Sequence, residues 1–223
     1  MRKETWSALI GDLGLEEDEN RRTYRSAAKN SHRDDACTII GDGEFTAKRS
    51  PTDLELMTDL KQFIRDVADF PQPGIIFRDI APLLRSHFEP TIDAMSGLLN
   101  AAEWTHIDAV AGIESRGFML GAALAVKHGK GFVPIRKKGK LPPPVVSVPY
   151  QLEYGEGVLE MQQGNGRLLL IDDVLATGGT LYAAADLCRL AGYRVDALAV
   201  LLDLNLIKDF RWEGQPARTV IRY

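Results

Sequence analysis

The chain has 223 residues, 45% hydrophobic and 26% charged, enough for one substantial core and ordinary for a globular protein. Its 31 acidic and 27 basic residues leave a formal net charge of −4, which argues against a protein built mainly to hold nucleic acid. Two cysteines without paired spacing predict neither a disulfide framework nor a zinc site, and no apolar run reaches membrane-spanning length.

Residues 1–49 stand apart. Trp6, Leu9, Ile10, Leu13 and Leu15 could form a short amphipathic helix, but the charged stretch that follows has no periodicity able to build a core. They read as an appended, partly disordered arm, with a partner-binding helix around Trp6 as the sharper alternative. No signal-peptide apolar region is visible, so the expected location is the cytoplasm. The globular domain is expected over 50–223. Ser50-Pro51-Thr52-Asp53 has the composition of a capped helix start, and Leu56, Met57, Leu60, Phe63, Ile64 and Val67 recur at helical spacing. Pro71 and Pro73 then force an extended path.

Ile75, Ile76 and Phe77 beside Arg78 and Asp79 read as an edge strand. Pro90 to Ala102 reads as a second amphipathic helix with Ile92, Met95, Leu98 and Leu99 inward. A strand from Ile107 to Ala111 delivers Gly112-Ile113-Glu114-Ser115-Arg116-Gly117, and a helix follows from Phe118 to Lys127. Such a turn can offer backbone N–H groups to an anion with Arg116 alongside, or can be a plain connection with a solvent-facing arginine. The strand Phe132 to Ile135 runs into Arg136, Lys137, Lys138 and Lys140, a solvated face or an anion patch at the end of a buried strand.

From Pro142 to Gln162 prolines and alternating apolar residues predict an extended β-ribbon, with Gly155-Glu156-Gly157 in its connections. Long excursions of this kind often act as lids. Within it Glu153 reads, by itself, as an ordinary exposed acid.

The most informative stretch is Leu168 to Thr180, LLLIDDVLATGGT. Leu168, Leu169, Leu170 and Ile171 are the unbroken apolar run of a strand buried on both faces, and Asp172 and Asp173 follow where it would emerge. Ala176, Thr177, Gly178, Gly179 and Thr180 lead into a helix whose free N–H groups and dipole suit a phosphate. Carboxylates repel phosphate, so the acid pair suits the vicinal hydroxyls of a ribose. A ribose 5-phosphate cradle is the chemical reading; an ordinary strand–turn–helix with a solvated acid pair is the bland one. No lysine follows the glycines, so this is not a Walker A loop. After the helix Thr180 to Ala191 come a buried strand, Val195 to Leu202, and a final strand over Thr219 to Arg222. Cys188 reads as packing, and His32, His87, His106 and His128 as surface or structural residues.

LLLIDDVLATGGT resembles the signature of the type I phosphoribosyltransferases, which bind 5-phosphoribosyl 1-diphosphate (PRPP). FPQPGIIFRDIAPLL, GIESRGF and Leu152-Glu153-Tyr154-Gly155 resemble further motifs in the order expected for the adenine-using branch. The resemblance runs from about Ser50 to Leu204. It implies an α/β fold, a parallel sheet flanked by helices, with a projecting β-ribbon lid and a small hood. It also implies transfer of the phosphoribosyl group to adenine, giving AMP and diphosphate, with Mg²⁺ bound through PRPP rather than directly to the protein, and a homodimer.

By the same resemblance Ala176, Thr177, Gly178, Gly179 and Thr180 would hold the 5′-phosphate, and Asp172 and Asp173 the ribose. Glu114, Ser115, Arg116, Arg136, Lys137 and Lys140 would meet the diphosphate, with a cis peptide at Glu114–Ser115. Ile76, Phe77 and Arg78 would surround adenine, Leu204 would help cover it, and Glu153 would handle its proton. Two features depart from the pattern: Pro149 before the lid tyrosine, and a short link over Gln163 to Gly166. An enzyme for hypoxanthine, guanine or xanthine, or a PRPP-sensing regulator without catalysis, are the alternative readings.

Overall fold

The computed structural model describes residues 60–152 and 155–223. The expected arm with His32, the helix start at Ser50 and Glu153 all lie outside the described residues.

The described chain begins with a 3₁₀ turn, Leu60–Phe63, followed at once by strand β1, Arg65–Ala68. This corrects the helix expected to run through Val67. β1 pairs antiparallel with β2, Ile76–Asp79, setting Val67 opposite Phe77 and Arg65 opposite Asp79. The Arg65–Asp79 ion pair closes at 2.6 Å. Cross-strand partners favour a β-branched residue at 67 over the helical spacing around it. Leu60 and Ile64, two of the expected apolar positions, are nonetheless buried.

Helices α1 (Ala81–Ser86), α2 (Phe88–Ser96) and α3 (Ala101–His106) come next. The single helix expected over Pro90 to Ala102 is therefore broken between α2 and α3. Asn100, extended at ψ 169°, starts α3 by accepting from the Glu103 amide at 2.9 Å, while Glu103 accepts from the Asn100 amide at 2.8 Å. That reciprocal cap stops α2 from simply continuing. The inward residues Ile92, Met95 and Leu99 are buried as expected, and Leu98 packs on the core half-buried.

The main sheet is built from β3 (Ala109–Ile113), β4 (Gly131–Lys137), β5 (Val146–Leu152), β6 (Gly155–Met161), β7 (Arg167–Leu175), β8 (Arg194–Asp203), β9 (Arg211–Trp212) and β10 (Gln215–Arg222). Helix α4 spans Arg116–Lys127 and α5 Gly179–Leu190. The order is β5-β6-β4-β3-β7-β8-β10-β9, and the run from β4 to β10 is parallel. This is the predicted α/β architecture.

β7 lies at its centre with no exposed surface on Leu168, Leu169, Leu170 or Ile171. Side chains alternate: Leu168 and Leu170 join the α5 core, Leu169 and Ile171 the core shared with α2 and α4. Each contributes about 1.5–3 kcal/mol of burial. At the start of β7, Arg167 clamps Asp108 with Nε and Nη2 at 3.0 and 2.9 Å.

The ribbon forms as expected, but it continues the main sheet, because β6 pairs with β4 through Arg136–Glu160 and Lys137–Leu159. Gly155 to Gly157 belong to β6 rather than to a connection. A Cβ on Gly157 would stand 2.5 Å from Tyr150 Cε1, so this glycine makes room for the ring across the ribbon.

Cys188 is buried on α5, and burial pushes its thiol up to about 12, consistent with packing rather than reactivity. His128 stacks on Trp104 at 3.6 Å and bonds Ser96 Oγ, while His87 stacks on Phe63. Among the described residues no helix is long and apolar enough to cross a membrane.

Arg218 on β10 donates to Glu103 and to Leu98 O, tying the start of α3 to the sheet. That Arg218 bond, followed by the Asn100 amide, holds the Glu103 carboxyl down at about 2. A depressed carboxyl stabilises the fold above its ordinary value of 4.5 and loses that effect as pH falls toward 2. Glu103→Gln should therefore cost about 1 kcal/mol at pH 7, roughly 2–4 °C in Tm. Thermal melts should show the gap to wild type narrowing below pH 4.5.

Candidate active site

The site forms where β7 leaves the core. Asp172 and Asp173 do not follow the strand, as its apolar run suggested, but belong to it: β7 continues to Leu175, with Asp172 opposite Val200 of β8. Both acids are buried, at 7% and 6% exposure. Asp172 Oδ1 accepts from the Asp173 amide at 2.9 Å. Asp173 Oδ2 lies 2.9 Å from Arg116 Nε, yet outside hydrogen-bond alignment, so it is a buried acceptor with no hydrogen bond of its own. Burial lifts both carboxyls above the ordinary range. Asp172 is raised further because the charge of Asp173 adds to it, whereas Arg116 offsets part of the rise at Asp173.

The turn after β7 has the predicted elbow geometry. Gly178 has φ +77°, and a Cβ there would meet Ile207 Cδ1 at 2.8 Å and Phe210 Cδ2 at 2.9 Å, so only glycine fits. The first α5 bond runs from the Tyr182 amide to Gly178 O. The amides of Gly179, Thr180 and Leu181 thus precede any intrahelical acceptor, and they find no partner among the described residues. Ala176, Thr177, Gly178 and Thr180 line a cavity of about 430 Å³, together with both aspartates. Gly179 instead faces a neighbouring groove with Tyr182 and Phe210.

The opposite wall is the loop between β3 and α4. Its Glu114–Ser115 peptide is cis, and α4 begins at Arg116 rather than at the expected Phe118. Gly117 presses against β7, where a Cβ would stand 2.9 Å from Ile171 O and 3.3 Å from Asp172 Oδ1. This contact brings Arg116 to Asp173.

Glu114, Ser115, Arg116 and Lys137 line the cavity; Arg136 and Lys140 do not. The Glu114 carboxylate accepts from Lys140 Nζ at 2.6 Å, the Lys137 amide at 2.9 Å and Arg136 Nε at 3.4 Å. Burial pushes Glu114 up, but the Lys140 ammonium, the Lys137 amide and Arg136 outweigh it and bring it to about 2. As a carboxylate it repels an anion, so its side chain gathers the cations rather than acting as one of the anion's ligands.

Glu160, which sequence reasoning assigned no role, is buried on β6 and accepts the Lys140 and Leu141 amides at 2.8 and 2.9 Å. Alternation along the ribbon placed it on the face away from Leu159 and Met161, and gave no sign that the turn after β4 would cover it. Tyr150, likewise given no chemical role, lines the cavity from β5.

A second cavity, of about 540 Å³, opens beside the first, and Arg116, Asp173, Val174 and Ala176 line both. Ile76, Phe77 and Arg78 form one side, with Leu204, Leu206 and Tyr223 also among its walls. Phe77 packs toward Arg116, with 5.3 Å from ring centroid to Cζ. A mostly apolar slot with a few polar groups suits a flat heteroaromatic molecule. Leu204 was expected here; Tyr223 was not, and no local signal marked it.

A family model described as a phosphoribosyl transferase domain matches residues 87–208. The adenine phosphoribosyltransferase of Hydrogenovibrio crunogenus is 52% identical over 165 residues, covering 74% of this chain and 96% of the relative. That of Bdellovibrio bacteriovorus is 52% identical over 165 residues, covering 74% and 99%. Among solved structures, adenine phosphoribosyltransferase from Rhodothermus marinus aligns with a TM-score of 0.64 at 42% identity, covering 76% of this chain and 99% of that one. The Saccharomyces cerevisiae enzyme, complexed with an imino-altritol bisphosphate and adenine, aligns at 0.67 and 32% identity, covering 75% and 99%.

The raised carboxyls have a measurable cost. A buried acid lifted above its ordinary value of 3.8 destabilises the fold increasingly as pH rises from there through its folded value. Asp172→Asn should therefore stabilise the ligand-free protein at pH 8, by roughly 1–3 kcal/mol. In thermal melts that gain should fade toward pH 4.

Proposed function

The chain belongs to the adenine phosphoribosyltransferase family of type I phosphoribosyltransferases, and from that membership we propose how its own residues divide the work. The reaction is purine salvage: the 5-phosphoribosyl group passes from PRPP to adenine, giving AMP and diphosphate. The observation that carries the residue assignment is the continuity of the two cavities. Asp173 and Arg116 stand between an amide-lined pocket and an apolar slot, where the reacting sugar carbon has to lie.

The elbow from Ala176 to Thr180 takes the 5′-phosphate through the free amides of the α5 start and the hydroxyls of Thr177 and Thr180. Asp172 and Asp173 take the ribose hydroxyls, with Arg116 Nε 2.9 Å from Asp173 Oδ2 beside them. Arg116, Lys137 and Ser115 meet the diphosphate, while Arg136 and Lys140, held by Glu114, add to the field around it. Ile76 and Phe77 flank adenine, and Arg78 stands at its rim.

The C1′–diphosphate bond breaks as the N9–C1′ bond forms, so positive charge develops on the ribose and negative charge on the departing group. The acid pair faces the first and the cationic wall the second. Glu153, between the ends of β5 and β6, receives the N7 proton as N9 attacks. Anchoring sugar and base in adjoining cavities supplies up to about 7–11 kcal/mol of the advantage found in well-oriented systems. Closure of the ribbon as a lid would exclude water as a competing nucleophile.

Among the described residues no cluster of three or more metal-ligating side chains occurs. Asp172 and Asp173 would be the carboxylates available to a divalent cation that arrives with PRPP. Mg²⁺ bound in this way would neutralise charge on the diphosphate. The same reading makes the protein a cytoplasmic homodimer.

AMP formation from adenine and PRPP with Mg²⁺ is the direct test, and a protein that yields no AMP would overturn the activity. Glu153→Gln should lower kcat by about 10²–10⁴-fold while PRPP affinity stays close to wild type; unchanged turnover removes Glu153 from the proton transfer. Replacing both aspartates by asparagine should weaken PRPP binding roughly 10–100-fold, the loss of charged hydrogen bonds. A titration showing wild-type affinity would sink the ribose assignment.

A further inference from the structure

Arg78 presents a chemical difficulty for an adenine site. A guanidinium has donors and no acceptor. At its six position adenine carries an amino group, itself a donor, whereas 6-oxopurines carry an acceptor oxygen there. An arginine aimed at the six substituent itself would therefore favour the wrong base.

In this structure the guanidinium is held by other groups. Asp66 stands directly across from Arg78 in the β1–β2 pair and forms an ion pair with its Nη1. The Arg78 Cζ also lies 4.1 Å from the centroid of the Tyr223 ring. Tyr223 is fixed in turn: its amide donates to Asp203 O at 3.0 Å, and Lys61 Nζ lies 4.0 Å from the same ring centroid. Lys61 also donates to Arg222 O at 3.2 Å, and Arg222 Nε to Asp203 Oδ2 at 3.0 Å. Strand alternation sends the neighbouring Phe77 toward Arg116 instead. Arg78 and Tyr223 both line the 540 Å³ cavity.

We propose that Asp66 and Tyr223 are positioning residues for base specificity: they hold the Arg78 guanidinium off the six position, so that the cavity takes a 6-aminopurine and rejects a 6-oxopurine. The inference rests on the adenine reading above. Discrimination of this kind comes as much from what a site withholds from the wrong ligand as from what it offers the right one.

The test compares kcat/KM for adenine and for hypoxanthine at saturating PRPP and Mg²⁺, with a parallel PRPP binding titration. Asp66→Asn and Tyr223→Leu should each lower the adenine-to-hypoxanthine ratio about tenfold or more while PRPP affinity holds. Tyr223→Phe should keep the ratio, since a phenyl face still accepts a cation. Adding Arg78→Leu to Tyr223→Leu should abolish the gain in hypoxanthine use, because the released guanidinium causes it. The Asp66 side chain is 55% exposed, so its variant tests the idea without risk to the fold. An unchanged ratio in both single variants, or a gain that survives the loss of Arg78, overturns the inference. A wild-type protein that makes no AMP from adenine would instead sink the underlying activity.

Discussion

The contact between Gly117 and the backbone of β7 is the constraint on which the site depends. It allows the start of α4 to lie against the strand at Ile171 and Asp172, with no side chain between them. Arg116 then reaches Asp173, and the loop that carries Glu114 and Ser115 faces the elbow across one cavity. A methyl group at 117 would meet a carbonyl oxygen of the central strand, which cannot move aside as a flexible side chain can. The same approach brings the start of α4 beside the buried Asp172 carboxyl, where a Cβ at 117 would stand 3.3 Å from Oδ1.

Charge in the site is organised by acids as much as by bases. Glu114 draws Arg136, Lys140 and the Lys137 amide together, and Glu160 holds the turn that follows through two amides. Neither carboxylate is suited to touch an anion. Both set the cationic wall in place before any ligand arrives, which lowers the reorganisation needed when charge moves.

What the sequence disclosed follows the range of the interactions involved. The run Leu168 to Ile171, the elbow at Gly178 and the strand-to-helix loop at Glu114 are contiguous, and their residue types leave few conformations open. The helix expected through Val67 failed because partners ten or more residues away, Phe77 and Asp79, decide the conformation there. The break before Asn100 was legible in hindsight, since an asparagine three residues before a glutamate can close a cap, but the apolar spacing masked it. Gly157 was misread as part of a connection because the ring it accommodates lies on the other strand. The adenine-side motif marked Ile76, Phe77 and Arg78 as neighbours of one cavity. Asp66 just before that motif and Tyr223 far from it, both against Arg78, carried no pattern.

The unbroken apolar run in β7 has a consequence for folding fidelity. Four nearly interchangeable residues give such a strand little preference between neighbouring alignments, since sliding by one position would still fill both cores with leucine or isoleucine. The penalty for slipping must come from elsewhere, and the strand carries it near both ends: Arg167 locked to Asp108 below, Asp173 set against Arg116 above. Groups that serve the ligand at one end thus also act as a stop that indexes the strand, and a redesign that made that end uniformly greasy would trade one native alignment for several.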